Sequence, residues 1–190
     1  EREDEPLRPG TAFVLVKSLL ELNNQANRRI VEVVVMSRNS PETGVRMLNS
    51  INKHSLDITR VALSGGEPLA PYIEAYSIDL FLSKDDKDVQ TVIDSRASAA
   101  ATIYDPPTEF DPNDNRVKMR VIKTLRKWGV YVDEAHFLGG LSKDKILKAF
   151  GAHIFFDDQE THLTATSKVV PSGKVPYSTD SKMNTLENKK

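Results

Sequence analysis

The chain has 190 residues and a mass of 21.2 kDa, enough for one ordinary domain with a substantial core and too little for two independent ones. Its 26 basic and 27 acidic side chains give a net charge of −1, which excludes the broad positive field of a nucleic-acid polymer binder. With 39% hydrophobic and 28% charged residues it falls outside the disordered and fibrous classes, and the absence of cysteine removes disulfides, thiolate catalysis and cysteine-ligated zinc.

No apolar run approaches the roughly 18 residues of a membrane span. The longest, over 30–36, is interrupted by Glu32. The chain opens on Glu1 and an acidic stretch unlike a signal peptide, so a processed product or a fragment is expected. Phe13, Val16, Leu19, Leu20 and Leu22 recur at helical spacing and predict a helix over 11–23, stopped by Asn23 and Asn24. The Val and Ile of 30–36 predict a strand, because β-branched side chains are stiff at χ1 and suit a pleated sheet. Ser40, Pro41 and Glu42 then supply an N-cap hydroxyl, a proline at the first helical position and an acid in the first turn. The helix they open is expected to bury Val45, Leu48 and Ile51.

The alternation continues with a strand over 58–63, a Gly65-Gly66 turn, a short helix near 71–76, a strand over 80–82, a helix over 86–94 and a strand over 100–104. Residues 105–115 carry three prolines and no periodicity, and read as a linker or surface loop. A second stretch predicts a helix from Arg116, striped by Val117, Val121, Leu125 and Trp128 and stopped by Gly129. A strand over 135–138, a helix over 143–150 and a strand over 153–156 follow. From Pro171 the composition turns to Ser, Thr, Lys and Asn, and a mobile tail over 171–190 is expected. Strand, helix and strand in succession imply parallel βαβ units: an α/β fold, three-layered on a largely parallel sheet. The expected division is an N-terminal half over 1–104, the linker, a C-terminal half over 116–170 and the tail.

The sharpest chemical signal is His153-Ile154-Phe155-Phe156-Asp157-Asp158-Gln159. An apolar strand ending in two acids places carboxylates at the carboxyl edge of a parallel sheet, where open α/β folds bind ligands. Adjacent acids invite a cation, and hard oxygen ligands suit Mg²⁺; equally, Asp157 can cap the next helix while Asp158 faces water. Lys143, at a loop opening a helix, can neutralise a phosphoryl group or a carboxylate, or simply lie on the surface. Ser37, Arg38 and Asn39 lie between a strand and a helix N-terminus, a place for a phosphate or for a plain cap with a surface arginine. The four histidines are dispersed, with no His-x-x-x-His pair, and neither a P-loop nor a Gly-x-Ser-x-Gly elbow occurs.

Five stretches carry a resemblance: Pro9-Gly10-Thr11-Ala12-Phe13, Ser37-Arg38-Asn39-Ser40-Pro41-Glu42-Thr43-Gly44, Lys123-Thr124-Leu125-Arg126-Lys127-Trp128-Gly129-Val130, Phe137-Leu138-Gly139-Gly140 and the 153–159 segment. In this order, over roughly residues 5–177, they closely resemble the type I cytosolic 5'-nucleotidases, which belong to the haloacid-dehalogenase-like phosphatases. The resemblance implies a haloacid-dehalogenase-like fold and a cytoplasmic phosphoric monoester hydrolase. It implies Mg²⁺-dependent hydrolysis of nucleoside 5'-monophosphates of the AMP or IMP type through an aspartyl-phosphate. The family's late acidic pair, which holds Mg²⁺, falls on Asp157 and Asp158, and its lysine on Lys143. Ser37, Arg38 and Asn39 are assigned to phosphate and substrate binding. Neither a nucleic acid polymer nor a membrane is an expected partner, and a homo-oligomer is left open.

The chain departs from the family at one place. The family's apolar strand running into Asp-Gly-Asp-Ala-Val, and a later strand ending in Thr-Ala-Arg-Ser, belong between Ala99-Ala100-Ala101 and Lys123-Thr124-Leu125. Residues 105–115 stand there instead, so the nucleophile is unassigned. Asp86-Lys87-Asp88 fits the bare Asp-x-Asp string but reads as the first turn of a helix. A catalytically incomplete relative, acting as a binding or oligomerisation module, is the alternative to a hydrolase. A receiver-like phosphoacceptor would also use acids and a lysine at strand ends, but the order along the chain does not fit it.

Overall fold

The computed structural model describes residues 3–106 and 142–182. The expected helix from Arg116, the strand over 135–138 and most of the linker lie outside the described residues. The elements are α1 (Phe13–Ala26), β1 (Val34–Ser37), α2 (Pro41–Lys53), β2 (Arg60–Leu63), α3 (Ala70–Ala75), β3 (Leu80–Ser83), α4 (Asp86–Ser95), β4 (Ala99–Ile103), α5 (Lys143–Phe150), β5 (Phe155–Asp157), α6 (Glu160–Thr166) and β6 (Ser172–Lys174).

Asn23 and Asn24 do not end α1, which runs on to Ala26 and stops at Asn27 in the left-handed conformation. Asn23 has another task. Its carboxamide accepts the N–H groups of Ile30 (2.8 Å) and Val31 (2.9 Å) and donates to the Val31 carbonyl (2.8 Å). A side chain thus satisfies the backbone that a neighbouring strand would serve, and β1 starts only at Val34.

Helix α2 begins as expected, with Ser40 extended at the N-cap and Pro41 first, and the Ser40 side chain bonds to Glu42 and holds its carboxyl below the ordinary range. The buried face differs from the expected stripe. Ile51 is buried, but Val45 is 36% and Leu48 43% exposed. The helix instead turns Gly44 and Ser50 inward, because the absent side chain of Gly44 admits Leu63 of β2; a Cβ there would collide with it.

Pairing divides the strands between two sheets rather than one. β1 and β2 form a parallel ladder from Val34↔Arg60 to Ser37↔Leu63. The second sheet has the order β3-β4-β6-β5. Its β3–β4 and β5–β6 ladders are parallel, but β4 meets β6 antiparallel through Thr102↔Lys174 and Ile103↔Gly173. The α/β class holds, with mostly parallel pairing. This sheet draws strands from both sides of the linker.

The segment expected to start a mobile tail contributes β6, in the interior of that sheet. Ser172 is fully buried, and a Cβ on Gly173 would lie 2.8 Å from the Phe156 ring and 3.2 Å from the Thr102 carbonyl. Beyond it, Thr179 donates through its N–H (2.8 Å) and hydroxyl (2.6 Å) to Asp94 of α4, and Arg96 meets Asp180 at 3.0 Å. Polar composition misleads here because each of these groups has a partner.

Leu69, Ile73, Phe81, Val89, Val92 and Ala100 make one core between α3, α4 and the β3–β4 ladder, with Met36 of β1 packed against it. Leu163, Val170 and Pro171 are buried beneath α6 and β6. Among the described residues no helix is long and apolar enough to cross a membrane.

Candidate functional site

Lys143 is the first residue of α5, with Ser142 at the N-cap. A cation in the first turn opposes the helix dipole, so this position calls for a compensating anion. Asp157, the last residue of β5, supplies it: the Lys143 ammonium donates to Asp157 Oδ2 at 2.6 Å. The Asp157 side chain is 8% exposed, and Lys143 is 32% exposed. Asp157 Oδ1 accepts the Gln159 N–H at 2.9 Å, an Asx turn that swings the chain from β5 into α6. Burial raises the Asp157 carboxyl, but hydrogen bonding led by Lys143 and the Gln159 N–H, together with the charge of Lys143, outweighs it and holds the carboxyl at about 2.

His162, in the first turn of α6, completes the group. Its Nδ1 lies 2.9 Å from the Lys143 nitrogen and 3.2 Å from each Asp157 oxygen. The ammonium also stands 5.5 Å from the centre of the Phe155 ring, a favourable cation–π distance. Asp158 faces elsewhere: the Tyr177 hydroxyl donates to its Oδ2, while the Tyr177 carbonyl accepts from Gln90 of α4 at 3.1 Å. Nearby, Tyr104 donates to both oxygens of Glu160 at 2.9 Å, and burial together with this carboxylate pushes its phenol up.

Ser37, Arg38 and Asn39 follow β1 as expected. The Ser37 hydroxyl accepts the Asn39 N–H at 3.1 Å, and the Asn39 and Arg38 carbonyls accept the N–H groups of Gly65 (3.2 Å) and Gly66 (2.6 Å). Gly65 and Gly66 both have positive φ, 61° and 102°, which glycine adopts without strain. The Arg38 guanidinium bonds to the buried Asp88 and lies 3.6 Å from Asp85. Asp85 caps α4 by accepting the N–H groups of Lys87 (2.9 Å) and Asp88 (3.0 Å), so Asp86-Lys87-Asp88 is a helix start.

The structure brings Lys143 and Asp157 into contact but does not join them to Ser37, Arg38 and Asn39 by any hydrogen bond or ion pair among the described residues. Because β6 is antiparallel to β4, β5 runs opposite to β3 and β4, and its carboxyl end does not share an edge with theirs. The expectation of one common carboxyl edge is corrected accordingly. Arg38 reaches the first turn of α4, while Tyr177 and Thr179 meet the same helix at Gln90 and Asp94, one to two turns later.

Sequence reading by His-x-x-x-His spacing passes over His162, and Tyr177 lies in the supposed tail. The available signal was a histidine five residues beyond a strand-end acid, in the first turn of the next helix. As for Mg²⁺, both Asp157 oxygens are engaged by nitrogen donors and one Asp158 oxygen by a phenol. Among the described residues no three His, Cys, Asp or Glu side chains are grouped to hold a metal. Mg²⁺ demands near-octahedral oxygen coordination, so Asp157 and Asp158 by themselves do not complete a Mg²⁺ site.

The sequence matches the family model described as 5'-nucleotidase over residues 1–119 and again over 112–182. Cytosolic 5'-nucleotidase 1B of Homo sapiens is a relative, 24% identical over 251 residues that cover 86% of this chain and 41% of the relative. The chain thus spans about two-fifths of that protein's length. Since 86% of 190 residues is about 163, about 88 of the 251 aligned positions have no residue of this chain. The two matches overlap at 112–119, a stretch that begins within the 105–115 linker. No solved structure matches. Matched over most of its length by that family model, the chain belongs to the 5'-nucleotidase family.

Proposed function

We propose that this chain serves Mg²⁺-dependent hydrolysis of nucleoside 5'-monophosphates of the AMP or IMP type, in the cytoplasm, and that by itself it binds them without turnover. The observation that carries the reading is the Lys143–Asp157 contact. The cation is partly open to solvent and its counter-ion is buried, so an arriving phosphate meets the positive member of the pair. Asp157 holds the ammonium in place, and Ser37, Arg38 and Asn39 are proposed to serve the substrate from their own loop. A haloacid-dehalogenase-like, three-layer architecture is part of the same proposal, supported by the α/β class and the family. The binding-only element is favoured by the roughly 88 unmatched positions.

Calorimetric titration with AMP and with IMP tests the reading. Both are expected to bind, and Lys143→Ala is expected to weaken them about tenfold or more, the worth of one charge-assisted hydrogen bond. Binding indifferent to Lys143 would refute the assignment. Mg²⁺ alone is expected to bind weakly, with a Kd in the millimolar range or poorer as an order of magnitude, because two engaged carboxylates supply too few oxygens. Asp157→Asn combined with Asp158→Asn is expected to abolish it. One-to-one binding in the micromolar range would contradict this.

A further inference from the structure

We propose that His162 is a positioning residue that fixes the Lys143 ammonium by accepting one of its hydrogen bonds at Nδ1, leaving a single N–H of the lysine for an anionic oxygen. This rests on the reading of Lys143 as the group that meets the phosphate. An ammonium has three donors and no acceptor. One N–H goes to Asp157 Oδ2 at 2.6 Å, and a second points to His162 Nδ1 at 2.9 Å. An atom at hydrogen-bond distance from a pure donor must present a lone pair, so the ring proton belongs on Nε2.

The competing arrangement has Nδ1–H donating to Asp157. Three observations weigh against it. Nδ1 is equidistant, at 3.2 Å, from both carboxylate oxygens, which is a bisected contact and not a directed bond. Both oxygens already have donors, Lys143 on Oδ2 and the Gln159 N–H on Oδ1. A proton on Nδ1 would also face the ammonium protons across 2.9 Å. The backbone holds the ring's position: the His162 N–H donates to the Gln159 carbonyl at 3.1 Å and Thr166 Oγ1 donates to the His162 carbonyl at 3.0 Å. With Asp157 and His162 fixed, the lysine cannot rotate its remaining N–H freely, and that donor keeps one direction.

Long-range ¹H–¹⁵N correlation on the wild-type chain, at about pH 8.5 where an ordinary imidazole is neutral, reads the tautomer directly. The expected result is a protonated Nε2 and a bare Nδ1 at His162; protonated Nδ1 overturns the proposal. The second arm titrates inorganic phosphate. His162→Asn puts an acceptor oxygen near the Nδ1 position and is expected to bind within about twofold of wild type, whereas His162→Ala loses about five- to tenfold, as for one hydrogen bond. Equal losses in both variants, or none in either, overturn the positioning role. Phosphate binding indifferent to Lys143→Ala defeats the phosphate reading and the proposal with it. Lys143-dependent binding alongside a protonated Nδ1 defeats the proposal alone.

Discussion

Purified and supplied with Mg²⁺, the 190-residue chain is expected to release no inorganic phosphate from AMP or IMP above the level of a Lys143→Ala, Asp157→Asn variant. Enzymes accelerate such reactions by about a millionfold or more, and a covalent phosphatase obtains its rate by dividing hydrolysis into attack by a carboxylate and release by water. No Asp-x-Asp occurs between β4 and α5, where the resemblance places that carboxylate, and the two matches to the family model meet there at 112–119. What remains, an oriented ammonium, can hold a phosphate, but bound phosphate without an aligned attacking group is only binding. Asp86 and Asp88 offer no replacement, since Asp88 is buried against Arg38 and both lie in the first turn of α4. A malachite-green assay suffices. Phosphate release that depends on Lys143 and Asp157 would falsify the expectation and direct the search for a nucleophile to Asp86 and Asp88.

Acid is expected to unlock the same cluster. The Asp157 carboxyl is held at about 2, below its ordinary 3.8, so the folded state binds the proton less readily than the unfolded chain. A depressed carboxyl contributes stability that is complete above the ordinary value and lost as pH falls from about 4 through about 2. The shift corresponds to about 2 kcal/mol at neutral pH. Asp157→Asn is expected to forfeit about that amount at pH 7, measured by urea unfolding, and the gap from wild type is expected to close as the pH approaches 2. Other carboxyls held low, Asp85, Asp94, Asp144 and Asp180 among them, are present in both proteins and cancel in the difference. A gap that stays constant from neutral pH to pH 2 would show that Asp157 acts through packing and not through its charge.

The readable parts of this chain were those where local chemistry and tertiary packing agree. Pro41 and Glu42 opened α2 and the acids of Asp86-Lys87-Asp88 began α4 as their residue types dictate, and α5 spans the expected 143–150 although Lys143 opposes its dipole. The strand before Asp157 was legible from its apolar run, whereas of Lys143 the sequence said only that it could neutralise a phosphoryl group or a carboxylate; which carboxylate it meets is set by the fold. β6 was not legible, because Ser-Gly-Lys has no strand propensity; the strand exists since Gly173 lets Phe156 and the Thr102 carbonyl come close. The exposed Val45 and Leu48 misled for a related reason: a glycine, not the largest apolar side chains, set the packed face of α2. Strand direction was invisible too, since the antiparallel β4–β6 pairing joins residues far apart in sequence. The His162 ring meets Lys143, nineteen residues earlier, and Asp157, so its placement comes from two elements that meet only in space.

The interior place of β6 also orders events in time. Thr102 and Lys174 pair across about seventy residues of chain, and among the described residues β5 joins the sheet through β6. As the polypeptide leaves the ribosome, the neighbouring β3–β4 ladder can zip early, because its closure loop is short. β4 must then wait, with β-branched Thr102 and Ile103 presenting unpaired backbone on the side that β6 later covers. Joining the two halves of the sheet becomes the late, slow step of folding, and the nascent protein is most open to mispairing with its neighbours just before residues 172–174 arrive.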